Sequence, residues 1–95
     1  METFRRSWHG WIHSSCGYSV RLMGRTRLQY RDAHGELSIL AEAMSKPWTN
    51  IVVDTTSIPD GPELPRSAVI DRLERAFTFT GWTLIRANHD GPDGG

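Results

Sequence analysis

Residues 25–42 read RTRLQYRDAHGELSILAE, and the fold class turns on how this stretch pairs with itself. Leu28 and Tyr30 alternate with Arg27, Gln29 and Arg31. Beyond a polar break, Leu37, Ile39 and Ala41 alternate with Glu36, Ser38, Leu40 and Glu42. A period of two belongs to strands with one face inward. The break, Asp32-Ala33-His34-Gly35, has turn chemistry: an aspartate to open the turn and a glycine free to take a positive φ. A four-residue loop there sets Arg31 against Glu36, Tyr30 against Leu37, Gln29 against Ser38, Leu28 against Ile39 and Arg25 against Glu42. Apolar then meets apolar on one face, and opposite charges meet on the other. Each cross-strand pair contributes only ~0.2–1 kcal/mol. A one-residue slip exposes the whole apolar set, however, so the pattern specifies the register.

Downstream of this hairpin, residues 48–54 (WTNIVVD) follow Pro47 as a β-branched strand suited to an inner position. Residues 58–65 (IPDGPELP) combine prolines and a glycine, which excludes helix and inner strand and leaves a loop. Residues 67–81 (SAVIDRLERAFTFTG) place Val69, Ile70, Leu73, Ala76 and Phe77 at helical spacing. Asp71 and Arg75 stand at i, i+4 on the wet side, Ser67 is the expected N-cap and Gly81 the expected C-terminal stop. WTLIR (82–86) reads as a closing strand. Upstream, Tyr18, Val20 and Leu22 alternate with polar neighbours as a further strand, and residues 4–13 suit a short helix carrying Phe4, Trp8, Trp11 and Ile12 on one side. The expected fold is α+β: a small antiparallel or mixed β-sheet of four to five strands with one α-helix packed on one face. Residues 1–95 form one domain, with 1–22 an N-terminal extension and 88–95, NHDGPDGG, a fraying polar tail. Arg25, Arg27, Arg31, Glu36 and Glu42 occupy the sheet face opposite the helix.

The chain has eleven basic and eleven acidic residues and a formal net charge of zero, yet the signs are not mixed evenly. Residues 1–27 hold Arg5, Arg6, Arg21, Arg25 and Arg27 against Glu2 alone, and the remainder is acidic. Such asymmetry points to partner binding or to mutual satisfaction of the two parts. Cys16 is the only cysteine, which excludes an intrachain disulfide and fits a reducing interior. No apolar run approaches the ~20 residues that span a bilayer. The Arg5-Arg6 pair resembles a twin-arginine export signal, but Ser7, His9, Gly10, His13, Ser14 and Ser15 interrupt the apolar stretch such a signal needs. The expected location is the cytoplasm, without membrane contact.

The stretch SWHGWIHSSCGYS (7–19) carries the residue types closest to chemistry. On a helix, His9 and His13 share a face, with Cys16 within reach and His34 as a fourth donor for zinc. The set lacks paired cysteines, and Gly10 weakens the helix. Cys16 as a nucleophile with His13 as base needs an orienting acid, for which only Asp32 offers itself. Trp8, Trp11 and Tyr18 among the arginines suit nucleic acid, against which the neutral total argues. Asn88, Asp90 and Asp93 fall short of a calcium loop. The favoured reading is that this stretch packs, with no catalysis, no metal and no cofactor. A small nucleic-acid- or zinc-binding regulator using the front segment is the alternative.

From Leu28 to Leu84 the layout resembles small immunity proteins of bacterial polymorphic and contact-dependent toxin systems. The residues that carry the resemblance are LQYRDAHGELSILAE, then NIVVDTTSI with Ser57-Ile58, the Pro-rich loop, RSAVIDRLERAFTFTG with Arg72-Leu73, Ala76-Phe77 and Gly81-Trp82, and WTLI. Members typically carry a tryptophan just after Ser-Ile, where this chain has Pro59-Asp60-Gly61. Residues 1–22 lie outside the resemblance, as an extra strand or as codons upstream of an initiating Met23. The resemblance implies a non-catalytic inhibitor, monomeric or homodimeric, that covers a cognate toxin domain. Acidic inhibitors are steered to basic nuclease clefts. On that view Glu36, Glu42, Asp54, Asp60 and Glu63 are the contact acids, and Trp48 is the aromatic anchor.

Overall fold

The computed structural model describes residues 1–44 and 49–87. Seven strands run β1 (Phe4–Arg6), β2 (Ile12–Ser14), β3 (Ser19–Met23), β4 (Arg27–Asp32), β5 (Gly35–Ala43), β6 (Asn50–Asp54) and β7 (Thr83–Ala87), with one helix, α1 (Arg66–Thr80), between β6 and β7. They form one sheet in chain order, β1 to β7. Every pair is antiparallel except β6–β7, which is parallel and joined through α1. The fold is thus α+β with a mixed sheet, and it has seven strands rather than four to five.

The hairpin register agrees with the pattern: Leu28 lies opposite Ile39, Gln29 opposite Ser38, Tyr30 opposite Leu37 and Arg31 opposite Glu36. The turn is tighter than a four-residue loop, because Asp32 also pairs with Gly35. Gly35 takes φ 131°, a value L side chains avoid. Asp32 Oδ1 accepts the His34 backbone N–H at 2.7 Å, which closes the turn locally. At the other end the expected match of Arg25 with Glu42 gives way to a bond from the Ala43 N–H to the Arg25 carbonyl. β5 changes partner along its length: residues 35–40 pair with β4 and residues 41–43 with β6. That hand-over makes one continuous sheet of two halves.

The front of the chain differs most from expectation. Residues 4–13 are not a helix; β1, a single 3₁₀ turn at Trp8–Gly10 and β2 take their place. His9 and Gly10 both adopt positive φ (67° and 80°), which breaks any helix there. The stretch from Tyr18 does form the expected strand, as β3. β1, β2 and β3 extend the sheet beyond β4, and Ile12, Tyr18 and Val20 enter the core.

Alternation then delivers one apolar face. Val20, Leu28, Tyr30, Ile39, Ile51 and Val53 are fully buried from the strands, and α1 covers them with Val69, Ile70, Leu73, Ala76 and Phe77. Each large aliphatic side chain so buried contributes about 1.5–3 kcal/mol. α1 starts at Pro65 as N-cap, not Ser67, and the Arg66 N–H is taken instead by Asp60 Oδ1 from the loop, at 2.8 Å. It ends as expected at Gly81 (φ 85°), where the Trp82 N–H bonds back to the Phe77 carbonyl. Trp82 packs edge-on against Phe77. The Asp71–Arg75 pair forms at 2.9 Å. No helix among the described residues is long and apolar enough to cross a membrane. The tail, residues 88–95, lies outside the described residues.

Two polar clusters tie α1 to the sheet. Tyr30 is fully buried; its hydroxyl donates to Asp32 Oδ2 at 2.6 Å and accepts from Arg72 Nη1. Arg72 also reaches Asp32 at 3.4 Å and lies 5.1 Å above the Tyr18 ring. Tyr18 donates to Glu2 Oε2 at 2.6 Å, Ser14 donates to the same oxygen, and Arg75 binds Glu2 Oε1 at 2.7 Å. Burial and the bond to Asp32 push the Tyr30 phenol up to about 12. Burial alone raises both carboxylates. Hydrogen bonds outweigh it, from Tyr30 and the His34 N–H at Asp32 and from Ser14 and Tyr18 at Glu2. The Arg72 and Arg75 charges add to them, so both carboxyls lie below their ordinary values.

Arg72→Ala leaves a buried phenol and carboxylate short of a donor and is expected to lower stability by about 1–3 kcal/mol in urea titrations. Depressed carboxylates favour the fold above their ordinary values, 3.8 for Asp32 and 4.5 for Glu2, and the benefit is lost as pH falls through the lowered ones. Stability is therefore expected to decline below about pH 4.5, with a shallower decline in Asp32→Asn.

Candidate functional site

The tip of the β4–β5 hairpin and the Pro-rich loop face each other across a groove of about 310 Å³. Leu37, Pro59, Pro62 and Leu64 supply apolar walls, and Asp32, His34, Glu36 and Glu63 supply polar rims. The loop is rigidly placed for a segment without regular structure. Ile58 is fully buried beneath it, its carbonyl accepts Arg66 Nε at 2.8 Å, and Asp60 caps α1. The groove walls are therefore set by the core and by the helix start.

The rim acids are not equivalent. Asp32 is a turn and core residue: its side chain is 6% exposed, and both oxygens carry hydrogen bonds. Glu36 and Glu63 are exposed and loosely held, Glu36 at 4.0 Å from Arg31 and Glu63 at 3.7 Å from His34. Contacts of this kind between solvated groups contribute little to stability. Glu36 and Glu63 are thus free to exchange these partners for a cation brought by another molecule. An arginine or lysine side chain laid across the apolar walls would keep its head at these carboxylates.

The six residues expected at a partner contact fall in different places. Glu36 and Glu63 line the groove, and Asp60 belongs to the same loop but has the helix N-terminus to cap. Glu42 and Asp54 line a separate recess of about 250 Å³ on the outer sheet face, with Leu40 and Val52. Asp54 Oδ1 accepts from the Thr56 N–H and hydroxyl, which caps the 3₁₀ turn Thr55–Ser57. Trp48 lies outside the described residues. Asp32 and His34 also line the groove, although their sequence signal is a turn; Leu37 reads as an inward strand position and Leu64 as part of the loop.

The histidines and the cysteine of residues 7–19 are brought to different environments. His13 points to the outer sheet face, its Nε2 2.6 Å from the Ser7 hydroxyl and its Nδ1 2.8 Å from the Ser19 hydroxyl. A neutral ring donates to one and accepts from the other. Partial burial, reinforced by the charges of Arg5 and Arg31, lowers the His13 pKa. His9 is exposed in its 3₁₀ turn, and Cys16 is exposed in the β2–β3 turn with its N–H on Ser14 Oγ. Among the described residues no three His, Cys, Asp or Glu side chains converge as a metal site would require.

On the same outer face the guanidiniums of Arg21 and Arg31 stand over the Trp11 ring, 4.7 and 4.1 Å from its centroid. Trp8, next in sequence to this group, is 87% exposed. With Arg5 opposite His13 on β1, basic and aromatic residues of four strands share one surface. No protein family, curated protein or solved structure matches this chain.

The His13 ring is expected to titrate below its ordinary value of 6.5 in NMR spectra. Its protonation opposes folding, so stability falls as pH drops below about 6.5 toward the lowered value. Removing both hydroxyls, as Ser7→Ala with Ser19→Ala, is expected to move the His13 titration.

Proposed function

We propose that this protein is a non-catalytic, protein-binding inhibitor, an immunity protein that neutralises a cognate bacterial toxin inside the cell that makes it. The observation that carries the reading is the groove between the hairpin tip and the Pro-rich loop. It joins apolar walls to two loosely paired carboxylates, Glu36 and Glu63, on a rigid base. Such a surface suits a basic side chain at the mouth of a toxin's cleft. The carboxylates steer encounter, and the apolar walls, once covered, slow dissociation. Glu42 lies on the adjoining outer face, where it extends the acidic area.

Asp54 and Asp60 enter this reading chiefly as supports, since each caps a helical turn. Glu36 and Glu63 are the residues with free capacity. In the order of expected effect on binding they precede Glu42, and Trp48 is the aromatic anchor to test with them.

The reading expects a toxin gene adjacent to that of this protein, and the experiment pairs this protein with the toxin domain encoded there. Co-expression is expected to restore growth of cells that make the toxin domain. Glu36→Lys combined with Glu63→Lys is expected to abolish the rescue and to lower the association rate at least about tenfold at low salt. The unfolding free energy should stay within about 1 kcal/mol of the parent, because both side chains are exposed and the only new conflict is a lysine opposite Arg31. A toxin domain that neither binds nor is neutralised, or equal rescue by the double variant, would sink the reading.

A further inference from the structure

The outer face of β1–β4 carries a second surface, distinct from the groove. One row of paired residues crosses the sheet: Arg5 opposite His13, His13 opposite Ser19, Ser19 opposite Arg31. In the adjoining row Arg21 lies opposite Gln29. Arg21 and Arg31 are therefore diagonal neighbours, about 7–8 Å apart along the sheet. Their positions are set in advance. Both guanidiniums stand over Trp11, and Arg21 is steadied further by Gln29 Oε1 at 2.8 Å and by the His9 carbonyl at 3.4 Å.

Donor capacity remains on all three arginines. A guanidinium has five N–H groups. Arg21 uses part of its set, Arg31 has only the Glu36 carboxylate at 4.0 Å, and Arg5 makes no ion pair or side-chain hydrogen bond among the described residues. The acid nearest in this row is Glu36, one strand beyond Arg31 on β5. In the 3₁₀ turn that joins β1 to β2, whose His9 carbonyl accepts from Arg21, Trp8 is 87% exposed to solvent. An indole left open in this way has a free ring face on which another planar group can stack.

We propose that this face binds single-stranded nucleic acid, with Arg5, Arg21 and Arg31 taking backbone phosphates and the Trp8 indole stacking on a base. Arginine forks match phosphate geometry, and a free indole face accepts any unpaired base. A duplex keeps its base faces stacked inside, and an acidic protein surface gives the indole no such partner, so both fit less well. Partial burial lowers the His13 pKa first, and the charges of Arg5 and Arg31, which flank it, add to that. The zero net charge of the chain is no obstacle, because the row from Arg5 to Arg31 on β1–β4 contains no acid and Glu2 is held by Tyr18, Ser14 and Arg75.

The test is fluorescence anisotropy with short labelled oligonucleotides, single-stranded RNA and DNA and a duplex of the same sequence, from about 50 to about 200 mM salt. Single strands are expected to bind, with log affinity falling against log salt at a slope of about −2 for three phosphate contacts. Trp8→Ala is expected to weaken binding at least about fivefold, and Arg5→Ala to flatten the slope by about one contact. Neither side chain has a hydrogen-bonding role in the fold among the described residues, so both variants should remain folded. Absence of binding at low salt, preference for the duplex, indifference to Trp8→Ala, or equal affinity for a polyglutamate peptide would each overturn the proposal. Glu36→Lys with Glu63→Lys, which disables the groove, should leave oligonucleotide binding undiminished, so this result and the toxin test stand or fall separately.

Discussion

The lock between Arg72 and the Tyr30–Asp32 pair is the contact on which the rest of the structure depends. Tyr30 is fully buried from the sheet side, and its hydroxyl needs a partner there. Asp32 supplies an acceptor from the same strand, and Arg72 closes the charge from the helix. The same aspartate holds the hairpin turn through the His34 N–H. One cluster therefore sets the helix on the sheet, the hairpin tip, and one rim of the groove. The Tyr18–Glu2–Arg75 cluster repeats the device for the front strands, so the first residues of the chain are also bound to the helix.

The sheet sorts charge as well as hydrophobicity. Its inner face is apolar and closed by α1. Its outer face divides between β4 and β5: basic and aromatic on the side of β1–β4, acidic toward β5 and β6, where Glu36, Glu42 and Asp54 lie. Arg31 and Glu36 meet at that boundary with a contact of 4.0 Å, which is too long and too exposed to neutralise either side. A molecule with no net charge thus presents two charged surfaces. The two functional proposals rest on opposite sides of this boundary and use different residues.

Much of the architecture was legible from side-chain alternation and helical spacing. The pairs from Leu28–Ile39 to Arg31–Glu36 follow from period two, and the five buried residues of α1 follow from period 3.6. Both signals are long enough to exclude alternatives. The front was not legible for the opposite reason. β1 and β2 are three residues each, too short for alternation to be distinguished from helical spacing, and the 3₁₀ turn between them mimics the i, i+4 pairing of His9 and His13. Ser67 suited the N-cap by type, but the helix starts earlier, and Asp60 takes the Arg66 N–H from outside it, a contact that no local pattern encodes.

Sequence alone determined the hairpin, its register, the helix and the loop, because each depends on neighbours a few residues away or directly across a turn. It also revealed that the chain is basic in front and acidic behind. Tertiary structure decided what those charges become. Arg5, Arg21 and Arg31 share a surface only because four strands pair in register across the sheet. Glu36 and Glu63 share a groove only because the buried Ile58 and the capped helix hold the loop against the hairpin tip. Pairing between distant strands and capping by a distant loop are long-range contacts, and their geometry emerges only when the core closes.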